Sequence, residues 1–78
     1  MRNGRIMTLP ARRSRRVVLL DHIAQMFEVG TRYREGEVNR VLLSLHDDYA
    51  ALRRYLVDEG FLSRDHGEYW RSGGTVSQ

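Results

Sequence analysis

The side chains with the clearest chemical potential in this sequence are its arginines. All 13 cationic side chains are arginine and none is lysine. Arg2, Arg5, Arg12, Arg13, Arg15 and Arg16 all precede the first acid, Asp21. From Asp21 onward seven arginines face ten acids, a balance of −3. The chain reads as a basic arm joined to a mildly acidic body, a distribution that points to a polyanionic partner for the arm. Guanidinium groups suit phosphate because their planar fork donates two parallel hydrogen bonds. Such an arm gives salt-dependent, sequence-poor affinity for DNA or structured RNA, and it can reach into a minor groove. Arg53 and Arg54 form a second candidate set, adjacent in a segment with helical spacing, where arginine can bond guanine in a bidentate manner. Arg64 and Arg71 form a third, on the two sides of a glycine-centred turn. The candidate nucleic-acid ligands are therefore Arg12, Arg13, Arg15, Arg16, Arg53, Arg54, Arg64 and Arg71. Against them stand Asp47, Asp48, Asp58 and Glu59, which repel phosphates at the ends of the same helical segment.

Other chemistries are poorly served. Cysteine is absent, which removes disulfides, thiolate ligands and thiol nucleophiles. The run His46-Asp47-Asp48 invites a metal or acid–base reading, but adjacent side chains do not converge easily on one ion. A turn residue followed by a helix cap explains the run with less. No glycine-rich phosphate loop and no nucleophile–base pair is visible, so neither catalysis nor a cofactor is expected. The longest purely apolar run, Val17-Val18-Leu19-Leu20, is far short of a membrane span. No apolar stretch of signal-peptide length follows the basic start, and a cytoplasmic location is expected.

The elements that must position these arginines follow from apolar spacing. Ser14 is a plausible cap for a first helix over about 15–28, with Val17, Leu20, Ile23, Ala24 and Phe27 on one face. Gly30 stops it, and Thr31–Arg34 forms a short extended piece able to pair with a hairpin. A second helix is predicted over 35–45, with Val38, Val41, Leu42 and Leu45 inward. Asp47 caps a third over 48–59, with Tyr49, Leu52, Tyr55 and Leu56 inward and Arg53 and Arg54 on or beside the opposite face. Phe61–Arg64 and Tyr69–Arg71 flank a turn at 65–68 in which Gly67 takes positive φ. Tyr69 and Trp70 point to opposite faces, so one closes the core and the other is at least partly exposed. The expected fold is mainly α with a small β-hairpin: three helices plus a wing, winged helix-turn-helix-like. It covers 14–71, between a flexible arginine-rich arm at 1–13 and a disordered tail at 72–78.

Three stretches carry a family resemblance. They are Tyr33-Arg34-Glu35-Gly36-Glu37-Val38-Asn39, the run His46-Asp47-Asp48-Tyr49-Ala50-Ala51-Leu52-Arg53-Arg54-Tyr55-Leu56-Val57-Asp58, and Gly60-Phe61-Leu62-Ser63-Arg64 through Tyr69-Trp70-Arg71. Together they resemble the domain of unknown function 2087, which occurs alone or at the C-terminal end of helix-turn-helix transcriptional regulators. The resemblance implies a link to regulation and transfers no catalytic or binding residue.

Three functions remain in competition. The first is a DNA-binding or DNA-associated transcriptional regulator, docking by helix 3, the wing and the arm. The second is a protein-interaction module or homodimer without direct DNA reading, and the third a small basic RNA- or ribosome-associated protein. Charge placement separates the first two. Arg53, Arg54, Arg64, Arg71 and the arm on one face favour DNA, whereas Asp48, Asp58 and Glu59 on that face favour a protein partner.

Overall fold

The computed structural model describes residues 9–74. Helix α1, Arg13–Ala24, starts two residues earlier than the cap at Ser14 implies. Arg12 is the N-cap, extended at φ −72° and ψ 128°, and no side chain caps the helix. At its other end two tight turns follow, with Met26 N–H donating to the Ile23 carbonyl and Phe27 N–H to the Ala24 carbonyl, each at 3.0 Å. They keep Phe27 on the apolar side, so the expected periodicity outlasts the helix itself. Leu20, Ile23, Ala24 and Phe27 are buried.

Strand β1, Arg32–Arg34, leads directly into helix α2, Glu35–Leu43. Helix α2 buries Val38 and Leu42, while Val41 and Leu45 pack only partly. Helix α3, Tyr49–Asp58, is capped by Asp48, whose Oδ1 accepts from Ala51 N–H at 3.2 Å. The cap is one residue later than Asp47 because His46 Nδ1 accepts from Asp48 N–H at 2.9 Å and fixes the turn there. Leu52 and Leu56 are the fully buried residues of this helix.

Strands β2, Leu62–Asp65, and β3, Glu68–Arg71, form a hairpin closed by His66 and Gly67. Both turn residues have positive φ, 49° and 80°, the pairing that a two-residue hairpin turn demands. Strand β1 pairs antiparallel with β3, completing a three-stranded sheet in the order β1-β3-β2. Tyr69 lies opposite Tyr33 and is fully buried, so it, not Trp70, closes the core. The architecture is three helices against a small antiparallel sheet, with one core drawn from every helix and from β2 and β3. Each fully buried Leu, Phe or Val contributes roughly 1.5–3 kcal/mol. Among the described residues no helix is long and apolar enough to cross a membrane.

Leu9, within the expected arm, packs against the core, while residues 1–8 lie outside the described region. Ser72 and Gly73, expected in a loose tail, donate backbone N–H groups to the Phe61 carbonyl at 2.9 and 3.2 Å. The rest of that tail, 75–78, lies outside the described residues.

Candidate nucleic-acid interface

The hairpin does not project freely. Gly67, at its turn, accepts from Glu35 N–H at 3.1 Å, satisfying one of the unpaired donors that open α2. The Tyr69 hydroxyl donates to Glu35 Oε1 at 3.1 Å. Burial first, and this bond second, raise the Tyr69 pKa above its ordinary value. Both bonds tie the hairpin to the start of α2, and the hairpin and α3 frame a groove of about 900 Å³.

That groove gathers part of the expected arginine set. Arg53, Arg54 and Arg64 line it, with Ala50, Ala51 and Val57 between them. Arg64 is exposed and has no hydrogen bond or ion pair among the described residues. Arg54 is 3.9 Å from Asp58, both side chains largely exposed, an arrangement that holds an arginine only weakly. Arg53 is half-buried and its Nη1 donates to Asn39 Oδ1, which ties α3 to α2. Asp48 and Asp58 line the same groove. Three arginines against two aspartates leave the groove only slightly cationic.

The remaining candidates go elsewhere. Arg71 is turned into the body, donating to the Gly73 carbonyl at 3.1 Å and the Phe27 carbonyl at 3.4 Å, and does not join the groove. Strand register separates it from Arg64: Arg64 pairs with Tyr69 and Arg71 with Leu62, at opposite ends of the hairpin. Arg13 makes a two-point bond to Glu59 at 2.7 and 2.9 Å. That hydrogen bond is the main reason the Glu59 carboxyl is held below its ordinary pKa. Arg16 lies over the Tyr55 ring at 4.6 Å and donates to the Ala11 carbonyl at 3.2 Å, while its Nε is buried without a partner. Arg12 and Arg15 are exposed and unpaired among the described residues. Arg12 adjoins the Arg13–Glu59 contact just past the end of α3. Arg15 shares the outward side of α1 with Val18 and His22, roughly opposite Leu20 at about 100° per residue.

Sequence reasoning missed both aromatic–cation pairs, Arg16 over Tyr55 and a second on the sheet. Arg32 lies over the Trp70 ring at 4.3 Å, its register partner on β3, and reaches Glu68 at 3.8 Å. The signal available was an arginine and a tryptophan on strands expected to pair, but their register was not readable. Among the described residues no group of three or more His, Asp or Glu side chains is arranged to hold a metal ion.

No curated protein and no solved structure shows significant similarity to this chain. A family model does match, over residues 5–71. The chain belongs to the family described as uncharacterized protein conserved in bacteria, DUF2087.

Proposed function

We propose that this chain is a small winged helix-turn-helix protein of transcriptional regulation that holds DNA through its phosphates more than through its bases. The order α2, short turn, α3, hairpin supports the winged-helix reading, with α3 in the recognition position and β2–β3 as the wing. The observation that carries the function is the convergence of Arg53, Arg54 and Arg64 on one groove between α3 and the hairpin. Phosphate holding is favoured over base reading because Asp48 caps α3 at the end where a recognition helix approaches base edges. A carboxylate there meets the phosphates flanking the groove with like charge. The test is binding of the full chain to mixed-sequence duplex DNA over a salt series, beside Arg54→Ala and Arg64→Ala. Salt-sensitive binding with little sequence preference supports the reading, and absence of binding at low salt removes it.

A protein partner is the second reading, favoured by Asp48 and Asp58 in the same groove. Their alternation with the arginines, over a floor of Ala50, Ala51 and Val57, suits a partner helix carrying both charges. Under this reading the groove variants lose a protein complex and leave DNA binding untouched.

A further inference from the structure

Arg13 and Glu59 meet across 46 residues, where the arginine-rich start of α1 comes against the end of α3. Arg13 Nε and Nη2 donate to the two Glu59 carboxylate oxygens at 2.9 and 2.7 Å. That is the planar two-point fit by which a guanidinium also takes a phosphate. Each partner has a reason to hold the other. Glu59 is the C-cap of α3, where the helix dipole disfavours negative charge, and the last turn of α3 carries no basic residue. No side chain caps α1 and its first turn holds no acid, so its positive end adds to the pull on any anion placed there. The Arg13 side chain is 73 % exposed, so the pair stands in water, where a competing anion can reach it. The side chain of Arg12, one residue before, is exposed with no ion pair among the described residues. A phosphate taken by Arg12 therefore stands beside a guanidinium whose fork is already filled.

Resting on the reading of this chain as a phosphate binder, we propose that Arg13 is a further phosphate ligand kept out of use by Glu59, whose carboxylate occupies the fork that a phosphate would take. The pair has no net charge, so in the resting chain it releases no counterions from DNA and adds nothing to the salt dependence of binding. Glu59 is thus a brake on affinity. A phosphate must displace the carboxylate before Arg13 adds its contact, and the carboxylate repels the phosphate that approaches.

Glu59→Gln in the full chain keeps the length of the side chain and removes its charge. The slope of log affinity for mixed-sequence duplex DNA against log salt is then expected to steepen by about 0.9, one further phosphate. Adding Arg13→Ala to Glu59→Gln is expected to return the slope to the parental value, and Arg13→Ala alone to leave it there. Glu28→Gln, which removes the same charge from an exposed site beyond the far end of α1, is expected to leave it there too. Fluorescence anisotropy gives the slopes, and far-UV circular dichroism shows that each variant is folded. A second readout is the Arg13 Nε–H resonance, which duplex is expected to move in Glu59→Gln and to leave in place in the parent. A Glu59→Gln slope equal to the parent's overturns the proposal while phosphate holding stands. So does a steepening that survives Arg13→Ala, one that Glu28→Gln reproduces, or an Arg13 resonance that moves as far in the parent. Binding by Glu59→Gln alone leaves the brake in place and removes phosphate holding by the parent chain. No binding by either at low salt removes both.

Discussion

The salt dependence of DNA binding is where the groove arginines give the most quantitative expectation. The groove's Arg54 and Arg64, and Arg12 outside it, are exposed and either unpaired or held only by a 3.9 Å surface contact, so each is free to take a phosphate, whereas Arg15, equally exposed and unpaired, sits on the outward side of α1 and is left out of the count. Arg13, Arg16 and Arg71 are committed to Glu59, the Tyr55 ring and backbone carbonyls. With three phosphates neutralised, the logarithm of the affinity falls with that of the salt concentration at a slope of about −2.7. Raising salt from about 50 to about 200 mM then weakens binding about 40-fold. Arg64→Ala removes one contact, bringing the slope to about −1.8 and the loss to about 12-fold. Arg54→Ala does the same, and the double variant falls to a slope of about −0.9. Fluorescence anisotropy on a labelled mixed-sequence duplex reads all four slopes. Variants that weaken binding at a single salt concentration while keeping the parental slope would refute the phosphate assignment. A parental slope near zero would refute it for the whole chain.

Three further expectations concern the scaffold that holds the groove. Tyr69→Phe deletes the hydroxyl bonded to Glu35 and is expected to lower stability by about 0.5–1.5 kcal/mol in urea titration, with the fold kept. An unchanged midpoint would mean the bond contributes nothing. Glu59, its folded pKa depressed by Arg13, adds stability that is present above the unfolded pKa and lost as pH falls through the folded one. Glu59→Gln is thus expected to lower the melting temperature at neutral pH and to flatten the acid limb, where parent and variant converge. Gly67→Ala meets no atom within 4 Å, so its cost is that of positive φ alone, about 1 kcal/mol by thermal melting, whereas Ala51→Gly costs a similar amount through helix propensity.

Much of this scaffold was legible in the sequence because apolar spacing and turn chemistry are local. The buried faces at Leu20, Ile23 and Phe27, at Val38 and Leu42, and at Leu52 and Leu56 follow from spacings of three and four. The hairpin follows from Gly67. Boundaries were less legible where two residues offered the same chemistry. Asp47 and Asp48 are equally good caps, and only the His46 imidazole, by accepting from Asp48 N–H, decides between them. The end of α1 was hidden because the tight turns after Ala24 leave Phe27 where a continuing helix would put it. The candidate site was legible only as a list of cations. Which of them are spent on the protein depends on contacts 46 residues apart for Arg13 and Glu59 and 44 apart for Arg71 and the Phe27 carbonyl. No local pattern encodes those distances.

The strand order β1-β3-β2 also has a consequence for biosynthesis. The strand in the middle of the sheet is the last to be made. Synthesis completes β1 and β2 before the strand that joins them. Tyr69, which fills the core beneath the sheet, arrives with that strand. A chain that lacks β3 therefore has two strands without their common partner and a gap in its core where Tyr69 belongs. A messenger cut short before β3 yields a product that cannot close its sheet, with its apolar surfaces open to chaperones and proteases.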